Sequence, residues 1–159
     1  TDHILVGLIA KAVGVDPAKI NYVPFKGGGE AIAAIAGGHV TAGVSGLGEF
    51  SEHIKAGRMR ALAVSGPARE EGIPTLKEQG VDVVLGNWRG IFGAPGISAA
   101  QRDALVKAVK AATETQAWKD TLAKTGWTPW YLGGDEFKAF LDEDIKRVGG
   151  IIESLGLKK

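Results

Sequence analysis

Cysteine is absent from the 159 residues. That excludes disulfides, thiolate catalysis and cysteine-held metal. An excess of either charge is also missing: 19 basic and 18 acidic side chains give a formal net charge of +1. With no basic run or stripe, no nucleic-acid surface is expected. Aromatic residues make up only 7% of the chain. Trp88, Trp118, Trp127 and Trp130 lack the interleaved Lys and Arg of a base-stacking surface and read as packing residues. No apolar run approaches the roughly 20 residues that span a bilayer. His3, His39 and His53 stand in separate segments without H-x-x-x-H spacing, so neither a metal site nor a cofactor is expected. The opening TDHILVGL has no basic segment or cleavage site of a secretion signal. A start without Met, directly on a helical pattern, reads as a processed or truncated product.

What is present is an ordinary globular balance, 45% hydrophobic and 23% charged, rich in glycine at 24 residues. The most informative stretch is INYVPFKGGGEAIAAIAGGHVTAGVSGLG, residues 20–48. It opens with a β-prone run at 20–23 bounded by Pro24. Phe25, Lys26 and the glycines Gly27, Gly28 and Gly29 make a turn into an apolar helix at 30–36. A helix start leaves four N–H groups without internal partners, and the aligned dipoles place roughly +0.5 charge there. Glycine lets a ligand approach the backbone without meeting a Cβ. Lys26 adds a full positive charge, and the combination points to a site for carboxylate or phosphate. The plainer reading is a tight turn with a surface lysine.

Further along, short apolar strands alternate with short helices. A first helix is capped by Thr1 and Asp2 and ends at Gly14. Strands are expected at 40–45 and 59–65, with a helix between them at 49–56 closed by Gly57. This is the pattern of parallel βαβ units, an α/β fold. Beyond Ser65 the spacing predicts a helical turn capped by Thr75 and ending at Gly80, then strand segments at 81–85 and 89–93. Ser98-x-x-Gln101 is a capping box for a helix of about 15 residues. Another helical face runs through Trp118 and Leu122 to Gly126, followed by an aromatic strand at 127–132. Asp135 caps a long final helix with Gly149 and Gly150 inside it, where a kink or weak point is expected. In a parallel α/β sheet the second turn, Ser45 and Gly46, lies beside the Lys26 turn, beyond the strand ends. Thr1 at its helix start and Arg89, capable of a bidentate carboxylate contact, are further candidates. Arg89 reads equally well as a surface ion pair.

Enzyme motifs fail in turn. There is no P-loop, no third glycine or acidic ribose partner for a dinucleotide, and Leu47 stands where a nucleophile elbow requires glycine. An α/β enzyme acting on an anionic or phosphorylated substrate stays as the alternative, with Glu30 its one candidate base. Complementing the helix dipole explains Glu30 more simply. A bare interaction domain with an inert Lys26 turn is a third reading.

Taken in order, several motifs resemble one family. They are VPFKG from Val23, IAGGHV from Ile35, HIKAGRMRALAV from His53, Pro74-Thr75-Leu76 with Gly80, and WRGIFGAPGI from Trp88. The chain is similar to the substrate-binding receptors of tripartite tricarboxylate transporters, including the Bug-type receptors. The resemblance implies a periplasmic-binding-protein-like fold of type II, the Venus flytrap, in truncated form. Residues 1–88 would be most of lobe 2, lacking its first strand, and 89–159 the crossover and C-terminal helices of lobe 1. It implies a periplasmic, non-enzymatic receptor that captures an organic carboxylate such as citrate and docks on membrane permease subunits. The signal peptide would lie outside this chain. Two positions depart from the family pattern: Phe25 stands where tyrosine is usual, and Ser45-Gly46-Leu47-Gly48 replaces a turn that commonly has an acidic or amide residue and a proline. Micromolar affinity needs about 8 kcal/mol net, more than two or three charge-assisted bonds of about 1.5–3 kcal/mol supply after association costs. Weak binding by this chain alone is therefore expected, and the partners to look for include a second copy of the chain, in a homo-oligomer covering exposed lobe surface.

Overall fold

The computed structural model describes residues 1–157. Among them the chain forms six α-helices and two short 3-10 turns: α1 Asp2–Ala12, α2 Gly28–Ala36, α3 Leu47–Lys55, α4 Ala99–Thr113, α5 Gln116–Thr125 and α6 Gly134–Ser154. Chain contacts divide it into two units. One is Thr1–Asn87 with the chain from Val148 onward; the other is Trp88–Arg147.

The helix boundaries follow local chemistry. Ser98 Oγ accepts from the Gln101 amide at 3.2 Å while Gln101 Oε1 accepts from the Ser98 amide at 2.8 Å, the reciprocal box expected for α4. Thr75 and Glu78 make the same exchange ahead of the 3-10 turn Lys77–Gln79, which ends at left-handed Gly80. Those bonds, with the Arg69 side chain, hold the Glu78 carboxyl below its ordinary range. α2 and α3 begin two residues earlier than expected, at Gly28 and Leu47. The first helical residues need no internal N–H partner, so glycine there costs less than in a helix interior. α6 passes unbroken through Gly149 and Gly150.

The expected strands are the main difference. The runs at 20–23, 40–45, 59–65, 81–85, 89–93 and 127–132 carry no strand assignment, and among the described residues the contacts of this kind are isolated bridges: Val64 with Thr75, parallel, and Glu70 with Ile73. Composition can specify an extended backbone, but a strand also needs a neighbour at about 4.8 Å to complete its ladder. The 59–65 run comes nearest to that state, bonded to 74–76 and to the end of the 81–85 run. The Val64 amide donates to Pro74 O at 2.9 Å and Leu76 donates to Val64 O at 3.0 Å. The Leu85 amide donates to Ser65 O at 2.9 Å, and Ser65 Oγ donates back to Leu85 O at 2.7 Å.

In the first unit the buried positions are mostly small or aliphatic: Ala10, Ala31, Ala34, Val83, Leu85 and Ile151, with Phe50. Gly7 on α1 lets the end of α6 come close, since an added Cβ would meet Leu155 and Ile151 at 3.1–3.3 Å. Gly43 lies against Ile35 of α2 and Phe50 of α3. The second unit is organised around rings. Trp88 meets Phe137 and Phe140 edge-on at 5.9 and 5.6 Å, and Trp130 meets Phe140 at 5.1 Å. The Trp88 indole N–H donates to Asp144 at 3.2 Å, and Arg147 pairs with the same carboxylate.

Candidate functional site

The first unit holds a pocket of about 600 Å³, lined by Phe25, Lys26, Gly27 and Ser45 together with Asp2, Val6, Tyr22, His39 and Glu49 among others. Sequence builds this wall in a simple way. Pro24 keeps the preceding chain extended, Gly27 serves as N-cap of α2 with fully extended backbone, and Gly46 is the N-cap of α3. Neither helix start receives a side-chain cap. Gly28 and Gly29 are therefore the first two residues of α2 rather than turn residues. An added Cβ on Gly27 or Gly29 would meet no atom within 4 Å, so packing does not demand glycine at either position.

Lys26 is exposed, and its ammonium has no ion-pair partner among the described residues. Its backbone amide, by contrast, is engaged: it donates to Glu30 Oε2 at 3.1 Å. Glu30 thus reaches back across the helix start, and one main-chain donor of the turn is already used. A second carboxylate stands nearby. An added Cβ on Gly28 would collide with the Glu49 carboxylate and lie 2.9 Å from its Cδ, while one on Gly46 would lie 3.8 Å from Glu49 Oε1. The Glu49 head is therefore lodged between the starts of α2 and α3.

Burial pushes the Asp2 carboxyl upward; the terminal ammonium opposes this and Glu49 adds to it. Tyr22 stacks on His3 with ring centroids 4.1 Å apart, and its hydroxyl is raised by burial and then by Asp2. The ordinary cause of such shifts is loss of hydration around a charged form.

The remaining candidates lie outside the pocket wall. Thr1 Oγ1 donates to Asn87 Oδ1 at 3.4 Å. Arg89 belongs to the second unit, where it donates to Trp88 O at 3.3 Å and its guanidinium lies 5.8 Å from the Trp127 ring centre. Sequence reasoning did not single out Asp2, Tyr22, His39 or Glu49 as wall residues. For Glu49 a signal existed: it is the acidic residue of the first turn of α3, one turn after the Gly46 cap. No group of His, Asp or Glu suited to hold a metal occurs among the described residues, and no helix there is long and apolar enough to cross a membrane.

Known proteins share this framework. A solved TctC solute-binding protein from Polaromonas superposes with a TM-score of 0.80 at 28% identity, over 98% of this chain and 54% of that one. An R. palustris protein solved with adipate superposes with a TM-score of 0.74 at 23% identity, over 98% and 52%. Among curated proteins, the UPF0065 protein of the gbd 5′ region in Cupriavidus necator is 30% identical, over 100% of this chain and 48% of its own length. Protein BugT of Bordetella pertussis is 29% identical, over 98% and 48%. The chain spans about half the length of the curated relatives it matches. The family model described as "Tripartite tricarboxylate transporter family receptor", TctC, matches residues 1–157, and this chain belongs to that receptor family.

Proposed function

We propose that the chain is the greater part of the ligand-binding wall of a periplasmic receptor that captures a small organic carboxylate. The receptor would pass its ligand to the membrane permease subunits of a tripartite transporter. The observation that carries this reading is Lys26: an ammonium without an ion-pair partner among the described residues, lining one pocket with Gly27, the N-cap of α2, and with Ser45 and Glu49 on either side of Gly46, the N-cap of α3. Family membership and the adipate named for the R. palustris neighbour support the carboxylate class. In this reading residues 1–88 are most of the second lobe of a Venus-flytrap fold and 89–159 return to the first. Capture requires no bond making: the ligand carboxylate meets Lys26 and the amides at the starts of α2 and α3, with Ser45 as a hydroxyl donor.

The test is calorimetry on the intact receptor with adipate and citrate. A hydrogen bond to a charged partner is worth about 1.5–3 kcal/mol. Lys26→Ala should therefore weaken binding about 10–100-fold while leaving the melting temperature nearly unchanged, as expected for an exposed side chain. Undiminished binding by this variant would remove the reading.

A further inference from the structure

Glu49 stands between the two helix starts, where a captured carboxylate is expected to go, whereas Glu30 is already engaged with the Lys26 amide. Its head fills the space an added Gly28 Cβ would take, at the first turn of α2, and its other oxygen faces Gly46 at the start of α3. Both helix starts lack a side-chain cap, so their amides keep donors for whatever anion lies between them. Glu49 also lines the pocket, opposite in charge to Lys26 and alike in charge to Asp2, whose carboxyl it helps to raise.

We propose that Glu49 is a charge-selecting residue of this pocket, whose carboxylate occupies the place between the starts of α2 and α3 and disfavours ligands of higher negative charge. The inference rests on the carboxylate-receptor reading and names a residue that tunes it. A ligand carboxylate entering there must turn the Glu49 side chain aside and then lies beside it. The side chain is exposed and is held by no side-chain hydrogen bond among the described residues, so it can turn without unpacking the core. The repulsion remains after it turns, because like charges within one Debye length of about 8–10 Å are only partly screened. Each added negative charge on the ligand enlarges the penalty. Adipate should therefore suffer more than hexanoate, which has the same six-carbon chain and one carboxylate fewer.

A simpler role for Glu49 is to complement the dipole of its own helix, being the acidic residue in the first turn of α3. That role predicts a loss of stability on substitution with no change in ligand preference, so affinity separates the two. The experiment titrates adipate and hexanoate into the intact receptor and its Glu49→Gln and Glu49→Ala variants, with thermal melts to verify folding. Both variants should bind adipate about three- to tenfold more tightly and hexanoate less than about twofold more tightly, from the charge dependence of the interaction. Unchanged or weaker adipate binding in both folded variants, or equal gains for the two ligands, would overturn the proposal while leaving the receptor reading intact. Failure of wild type and variants alike to bind either adipate or hexanoate would overturn both.

Discussion

The starts of α2 and α3 in one unit differ from those of α4 and α5 in the other. In Trp88–Arg147, α4 and α5 are closed by side chains: Ser98 with Gln101, and Thr115, whose hydroxyl accepts from the Trp118 amide at 3.3 Å. In the other unit, α2 and α3 start at glycine with no side-chain cap. Their cores differ as well. One unit packs alanines and aliphatic side chains; the other gathers Trp88, Phe92, Trp130, Phe137 and Phe140 into one ring cluster. The lesson is a division of labour. Capped helices and packed rings stabilise a frame, whereas uncapped helix starts cost some stability and leave main-chain donors without a side-chain partner.

Three substitutions probe this contrast beyond those already given. The largest effect belongs to Trp88→Ala, which removes two edge-on ring contacts and the indole donor to the buried Asp144. It should destabilise the second unit by about 3–5 kcal/mol, read as a lower midpoint in urea unfolding. A loss below about 1 kcal/mol would show that the rings do not hold that unit. Next is Ser98→Ala, which opens the box at α4 and should cost about 1 kcal/mol, measured in the same titration. The smallest is Gly27→Ser, the reverse experiment. Gly27 is extended and has open space, so serine fits and supplies α2 with the side-chain cap it lacks. It should add about 0.5 kcal/mol of stability and weaken adipate binding several-fold in calorimetry. A gain in both properties would break the contrast between capped frame and uncapped site.

Much of the helical framework was legible in the residues. The Ser98 and Gln101 pair announced α4, Thr75 announced the turn closed by Gly80, and Gly14, Gly57 and Gly126 followed helix ends with positive φ. The strands were not legible in the same way. Val23, Val44 and Leu62 sit in runs whose composition favours an extended chain, but a ladder depends on which other segment comes alongside. Within the site, Lys26 and the glycine run could be read directly, since backbone freedom and charge are properties of those residues. The Glu30 bond to the Lys26 amide could be expected from helix-start chemistry, though only as dipole complementation.

Sequence alone therefore determined where helices start and stop, the glycine-and-lysine turn, and the family to which the ordered motifs point. These rest on interactions among residues a few positions apart, and spacing alone specifies them. Only the tertiary structure decided that Glu49 lies against Gly28 and Gly46, that Asp2 and Tyr22 share its pocket, and that Trp88 and Asp144 meet across 56 positions. Contacts of that range depend on how separate segments pack, and no local pattern of residues encodes the direction in which a side chain will find its neighbour.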